Sequence, residues 1–159
     1  MDNTAQALLC GEYKDCVMSD GEWYRVDADF RTVLRILHYI EDGMELEKAA
    51  RIFFMDRPPE SGDSTELMKS FIGEEYFPEE GKKRAYSFYH DAGLIAGAFM
   101  QCYGIDLFSE DMHWHRFCAL FTALDGRCAF SELVCCRIRK YGSPAEKLAA
   151  RRITRLYGG

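Results

Sequence analysis

Apolar positions recur along most of the chain at helical spacing, and glycines, prolines or capping residues separate the periodic stretches. A fifth helix is expected after Ser109, whose side chain is placed to cap it, with Glu110 and Asp111 at its positive end. The chain is therefore predicted to be mainly α, a compact bundle of about six to seven helices. The other predicted helices span about 28–42, 45–55, 64–77, 88–103, 129–141 and 143–157.

The clearest strand signal lies in the N-terminal segment, residues 1–26. Two short runs, 16–19 and 22–26, flank Asp20-Gly21, a pair preferred in two-residue turns because both positions need positive φ. This pattern predicts a small β-hairpin. An isolated hairpin is only marginally stable in water, so we expect Trp23 to anchor it on the helical body.

The predicted helix at 88–103 has an unusual composition. Gly93, Ala96 and Gly97 leave one side almost without side chains. A glycine inside a helix costs about 1 kcal/mol relative to alanine, so we expect a neighbouring element to approach closely there. The opposite face is apolar and consists of Leu94, Ile95, Ala98, Phe99 and Cys102.

The last helix begins at Ser143-Pro144-Ala145-Glu146, a capping box with proline at the first helical position. Residues 127–159 carry eight Lys or Arg and two Glu, a balance of +6 in a chain whose net charge is −6. We expect these basic side chains to contact an acidic protein surface or a second subunit. Binding to nucleic-acid phosphates is the alternative. The candidate interaction residues are Arg137, Arg139, Lys147, Arg151, Arg152 and Arg155.

Length and composition restrict the class of protein. The chain has 159 residues, 48% of them hydrophobic, which fits a single helical domain over 1–159. No apolar run approaches the roughly 18 residues of a membrane span, and no secretion signal is recognised. Seven cysteines occur without a Cys-x-x-Cys pair, which is typical of a reducing cytoplasm.

Side chains capable of chemistry are few. His113 and His115 are two positions apart, and on a helix such positions point about 200° away from each other, so we expect no shared metal ion. No glycine-rich elbow surrounds Cys118, and no nucleotide-binding motif occurs. We expect the Asp106 carboxylate to tie a loop to the following helix. The sequence predicts neither an enzyme nor a cofactor.

The middle of the chain resembles a known family. Asp91 to Phe99, Tyr103-Gly104-Ile105-Asp106-Leu107, and Met112-His113-Trp114 followed by Arg116-Phe117 resemble the bacteriophage "gene product fifteen" family. Val26 to Arg31 resembles the opening of the same family, and Arg137 and Arg139 its later helix. This chain differs from the family pattern at Gly93, Gly97 and His115, positions that bear on packing.

The resemblance implies a small protein from the tail module of a phage or prophage. It implies a tail-assembly chaperone that coats the apolar tape-measure helix in the host cytoplasm, with other tail proteins as partners and self-association as a further option. The alternatives are a nucleic-acid-binding accessory protein and a structural tail or connector component. The motif residues that we expect to be structural are Asp91, Tyr103, Gly104, Asp106, Leu107, His113, Trp114 and Phe117.

Overall fold

Two antiparallel strands, β1 (Cys16–Ser19) and β2 (Glu22–Arg25), form a hairpin near the N-terminal end. The structure is a computed structural model that describes residues 13–60, 63–78, 84–141 and 144. Asp20 (φ 48°) and Gly21 (φ 80°) both turn the chain with positive φ, as this type of hairpin requires. The predicted hairpin is confirmed.

The two faces of the hairpin differ in burial. Val17 lies opposite Tyr24, whose ring meets the ring of Phe54 edge-on at 6.3 Å. Met18 lies opposite Trp23, and both side chains are exposed. Because successive side chains of a strand alternate between faces, Tyr24 makes the contact that we expected of Trp23. The prediction that Trp23 anchors the hairpin was wrong.

Helix α1 (Phe30–Glu41) begins after Asp29, which caps it. The Asp29 carboxylate accepts a hydrogen bond from the backbone N–H of Arg31 at 2.8 Å, which satisfies one of the unpaired amides at the helix start. Helix α2 (Leu46–Phe53) follows Gly43, whose φ is 94°. The buried residues of these two helices are Phe30, Val33, Ile36, Leu37, Ala49, Ala50 and Phe53.

Helix α3 (Asp63–Ile72) is shorter than the predicted span of 64–77. Gly73 follows it with a φ of 102°, a conformation that ends the helix before Pro78 is reached. One turn of 3₁₀ helix, Glu74–Tyr76, covers the remainder.

The segment between β2 and α1 is extended and pairs with two other parts of the chain. The N–H of Asp27 donates to the carbonyl of Phe53 at 2.8 Å, at the end of α2. The N–H of Trp114 donates to the carbonyl of Ala28 at 2.7 Å, at the start of α5 (Trp114–Thr122). These hydrogen bonds join the hairpin, α2 and the first turn of α5.

The predicted start of α5 at Ser109 was wrong. Asp29 and His113 form a β-bridge, and the N–H of Phe30 donates to the carbonyl of Met112 at 3.0 Å. Because residues 112 and 113 are extended in this pairing, the helix begins only at Trp114. Glu110 and Asp111 therefore precede the helix instead of lying in its first turn.

Helices α4 (Ala92–Tyr103) and α6 (Ala129–Tyr141) lie in the second half of the chain. The bounds of α6 match the prediction. Helix α4 starts four residues later than predicted, because residues 88–91 form a turn in which the N–H of Asp91 donates to the carbonyl of Ser87. An aromatic cluster packs in this half of the chain and consists of Tyr86, Phe88, Phe121 and Phe130.

The contacts divide the chain into two compact units. One comprises Met1–Glu80 with Met112–Ala119, and the other comprises Gly81–Asp111 with Leu120–Gly159. The described residues form six α-helices and the hairpin, which confirms the mainly α fold class. Of the predicted helix at 143–157 the structure describes only residue 144, which is helical, so the rest of that helix stays a prediction. The prediction of a single domain also stays a prediction.

Candidate interaction surfaces

Helix α6 places Arg137 against the carboxylate of Asp91. Arg137 Nη1 lies 2.5 Å from Asp91 Oδ2, and Nη2 lies 2.9 Å from Oδ1, so the ion pair has two parallel hydrogen bonds. Asp91 is only 5% exposed and also accepts the N–H of Ser87 at 2.9 Å. The hydrogen bond from Arg137 holds the pKa of Asp91 below its ordinary value, although burial acts in the opposite direction. The guanidinium of Arg137 is thus engaged within its own unit.

The rest of the predicted basic surface is described only in part. The Arg139 side chain is half-buried. Four of the six candidate interaction residues lie outside the described residues, so a basic contact surface stays a prediction there. They are Lys147, Arg151, Arg152 and Arg155.

Trp114 and Phe117 of the family motif lie in the core of the first unit. Trp114 is fully buried, and its indole Nε1–H donates to the carbonyl of Ile72 at 2.8 Å. Ile72 ends α3, where the last carbonyls have no partner within the helix. The Phe117 ring stacks on that of Phe30 at 5.0 Å. These side chains fix α5 on α1 and α3.

Tyr103, Gly104 and Asp106 of the same motif organise the end of α4. The Tyr103 hydroxyl donates to the carbonyl of Leu120 at 2.8 Å, and burial raises the pKa of this phenol. Gly104 ends the helix in the left-handed region with a φ of 67°. Asp106 Oδ1 accepts the N–H of Phe108 at 3.0 Å. The Asp106 carboxylate closes its own turn and does not tie the loop to α5. Leu107, the next motif residue, is buried.

The side chains of His113 and His115 are neighbours, contrary to the expectation that they point apart. Their ring centroids are 5.0 Å apart, because His113 precedes the helix and is extended. The ring of His113 stacks on Tyr13 at 4.6 Å, and its Nε2 lies 3.4 Å from Asp15 Oδ1. Burial, helped by His115, lowers the pKa of His113. Nε2 of His115 lies 2.8 Å from the carbonyl of Phe71.

A groove of about 490 Å³ has His115 and Cys118 in its lining. Burial raises the pKa of Cys118 to about 12, so this thiol stays protonated at neutral pH, whereas a nucleophilic cysteine needs a lowered pKa. No group of three potential metal ligands occurs in the ranges that the structure describes. The apolar side chains lining the groove include Val17, Met18, Leu67 and Phe71.

Helix α4 exposes the face that carries its two glycines. A Cβ built at Gly93 or Gly97 would meet nothing within 4 Å outside its immediate backbone neighbourhood. Within the described residues, the expectation that another element approaches these glycines closely was therefore wrong. Met100 on the same side is 50% exposed. Leu94 is 39% exposed and also borders this side, so its assignment to the opposite, buried face was wrong. The sequence signal for this surface is the absence of any charged residue between Ala92 and Tyr103.

Among the helices of the described segments, none is long and apolar enough to cross a membrane. The motif residues at the start of α5 pack in the first unit, and those at the end of α4 organise the second. The second unit also carries a helix without charged residues, on which Leu94 and Met100 are exposed.

The chain belongs to the family described as "Bacteriophage Gp15 protein", whose sequence pattern matches residues 60–158. This confirms the resemblance, although Val26 to Arg31 lie before the matched region. No curated protein and no solved structure gives a significant match. The family membership indicates a phage structural or morphogenesis protein, with other phage proteins as its partners.

Proposed function

We propose that this protein is a non-enzymatic tail-morphogenesis factor, a tail-assembly chaperone that binds the tape-measure protein in the host cytoplasm. The observation that carries the proposal is the exposed, uncharged face of α4 in a member of a bacteriophage family. A chaperone for a long apolar helix needs a hydrophobic surface that its own fold leaves uncovered.

The described side chains with catalytic potential support a role that involves no chemistry. One nitrogen of His115 lies against the Phe71 carbonyl, and the Cys118 thiol is held protonated by burial. The Asp106 carboxylate accepts hydrogen bonds within its own turn. His115 and Asp106 thus make contacts within the fold, and the Cys118 thiol is not activated as a nucleophile.

Co-expression with the tape-measure protein of the same phage or prophage tests the proposal. An affinity tag on this chain should retain the tape-measure product through washing at high salt, because an apolar contact is insensitive to ionic screening. Recovery of the tagged chain alone would contradict the proposal. A chaperone should also be absent from purified phage particles, whereas mass spectrometry would detect a structural tail component in them.

Nucleic-acid binding is the second candidate, and the +6 balance of residues 127–159 is the observation that favours it. Arg137 contributes little to such a surface because its guanidinium pairs with Asp91. DNA retardation that falls steeply with salt, and that is lost when Arg151, Arg152 and Arg155 are changed to Glu, would support this second function. Equal retardation by that variant would exclude it.

A further inference from the structure

The exposed face of α4 is defined by four residues at helical spacing, Gly93, Leu94, Gly97 and Met100, with Gln101 beside them. In a helix of 3.6 residues per turn, positions 93, 97 and 100 lie on the side opposite Ile95, which is buried. We call this surface the glycine face. It occupies the outer side of a three-turn helix.

The glycines of this face have no explanation within the described chain. Each weakens the helix by about 1 kcal/mol relative to alanine, and a Cβ at either position would meet open space. Glycine is the residue that lets another backbone approach closely. A contact with another chain would explain why glycine occupies positions 93 and 97. Leu94 and Met100 would pack on the two sides of that contact.

We propose that the glycine face docks a helix of the tape-measure protein, in a segment that is uncharged and carries small or aliphatic residues at the crossing point. The partner class follows from complementarity of charge and shape. Among the six described α-helices, α4 alone has no charged residue. Placing a charged side chain against this face would remove that charge from water without a counter-ion. The absence of two β-carbons makes room for the backbone of a helix.

The size of the face favours a long partner over a second copy. Twelve residues give a helix about 18 Å long and roughly 10 Å wide. A stable interface buries about 800 Å² of surface on each partner, and this face is much smaller. Two copies joined only through this face would therefore dissociate readily. A long helix offers several such segments in succession, and copies that bind side by side hold it jointly. This inference rests on the proposed function and assigns the surface and the chemistry of its partner.

Gly97→Leu separates docking from folding. The Leu side chain has room in the free protein and raises helix propensity, so the thermal midpoint should stay equal or rise. The same side chain should block a close helix and reduce recovery of co-expressed tape-measure protein at least about tenfold. Gly126→Leu is the matched control, since Gly126 also faces open space, and it should retain full recovery. Wild-type recovery by a folded Gly97→Leu variant would overturn the inference and leave the proposed function intact.

A photoreactive benzoylphenylalanine at position 100 provides a second readout in cells that express the complete set of tail genes. We expect a cross-link to an uncharged helical segment of the tape-measure protein. A cross-link to another phage protein would overturn the inference, because the inference assigns the glycine face to the tape-measure protein. A cross-link to a second copy of this chain, or no cross-link at all, would overturn the inference.

Discussion

Arg137 and Asp91 form a two-point ion pair that joins α6 to the start of α4, with Nη–Oδ distances of 2.5 and 2.9 Å. Because Asp91 is almost completely buried, its carboxylate depends on the guanidinium and on the Ser87 amide for the interactions that water would otherwise supply. Arg137, which the sequence suggested as a surface cation, therefore helps to position α4 and its glycine face.

Replacing Asp91 with Asn should destabilise the protein by about 1–3 kcal/mol, less than for a fully buried pair because the Arg137 side chain is 36% exposed. Urea unfolding followed by circular dichroism measures the loss. Asp125→Asn is the matched control, since Asp125 pairs with Arg127 at the surface, and it should cause a much smaller change. Equal effects of the two substitutions would show that burial of the Asp91 pair contributes nothing.

The same pair should make stability depend on pH in the acid range. The pKa of Asp91 is lower in the folded state than its ordinary value of about 3.9. Its contribution is fully present above that ordinary value and is lost as the pH falls through the lower folded value. Urea midpoints measured between about pH 2 and 6 should therefore fall more steeply below about pH 4 for the wild type than for Asp91→Asn. Parallel curves for the two proteins would contradict this assignment.

The two tryptophans should respond differently to the same substitution. Trp114→Phe removes the donor to the Ile72 carbonyl and leaves a cavity in the core, so we expect a loss of about 2–4 kcal/mol. Trp23→Phe changes a side chain that is 56% exposed and should stay within about 0.5 kcal/mol of the wild type. Denaturant titration of both variants tests this expectation. A smaller loss for Trp114→Phe than for Trp23→Phe would show that the burial pattern is wrong.

Cysteine reactivity tests the proposal that the chain has no nucleophile at the groove. The pKa of Cys118 is raised to about 12, whereas Cys136 is exposed. At pH 8, iodoacetamide should label Cys136 faster than Cys118 by about two to three orders of magnitude. Urea should remove the difference. Rapid labelling of native Cys118, read by peptide mass spectrometry, would indicate an activated thiol and an enzymatic role.

Local patterns in the sequence predicted the elements whose ends are set by nearby residues. Asp20-Gly21 located the hairpin, and α6 was predicted at 129–141 because its apolar spacing decides its extent. The start of α5 could not be predicted in this way. It depends on pairing between residues 28–30 and 112–114, which are far apart in the chain and have no local signature.

The glycine face could also be predicted only in part from the sequence. The composition of α4 indicated that something approaches Gly93 and Gly97, but periodicity cannot distinguish an element of the same chain from a partner. The proposal of a partner became possible only when the structure showed open space at these positions among the described residues. Arg137 likewise resembled its basic neighbours until the structure placed Asp91 beside it.

The fraction of tape-measure protein that stays in solution, measured with and without co-expression of this chain, tests whether the two proteins bind. If the glycine face covers an apolar helix, co-expression should raise the soluble fraction severalfold, and Gly97→Leu should abolish the gain while Gly126→Leu preserves it. An unchanged soluble fraction, together with no recovery of tape-measure protein on the tagged chain, would show that this protein does not act by binding that partner.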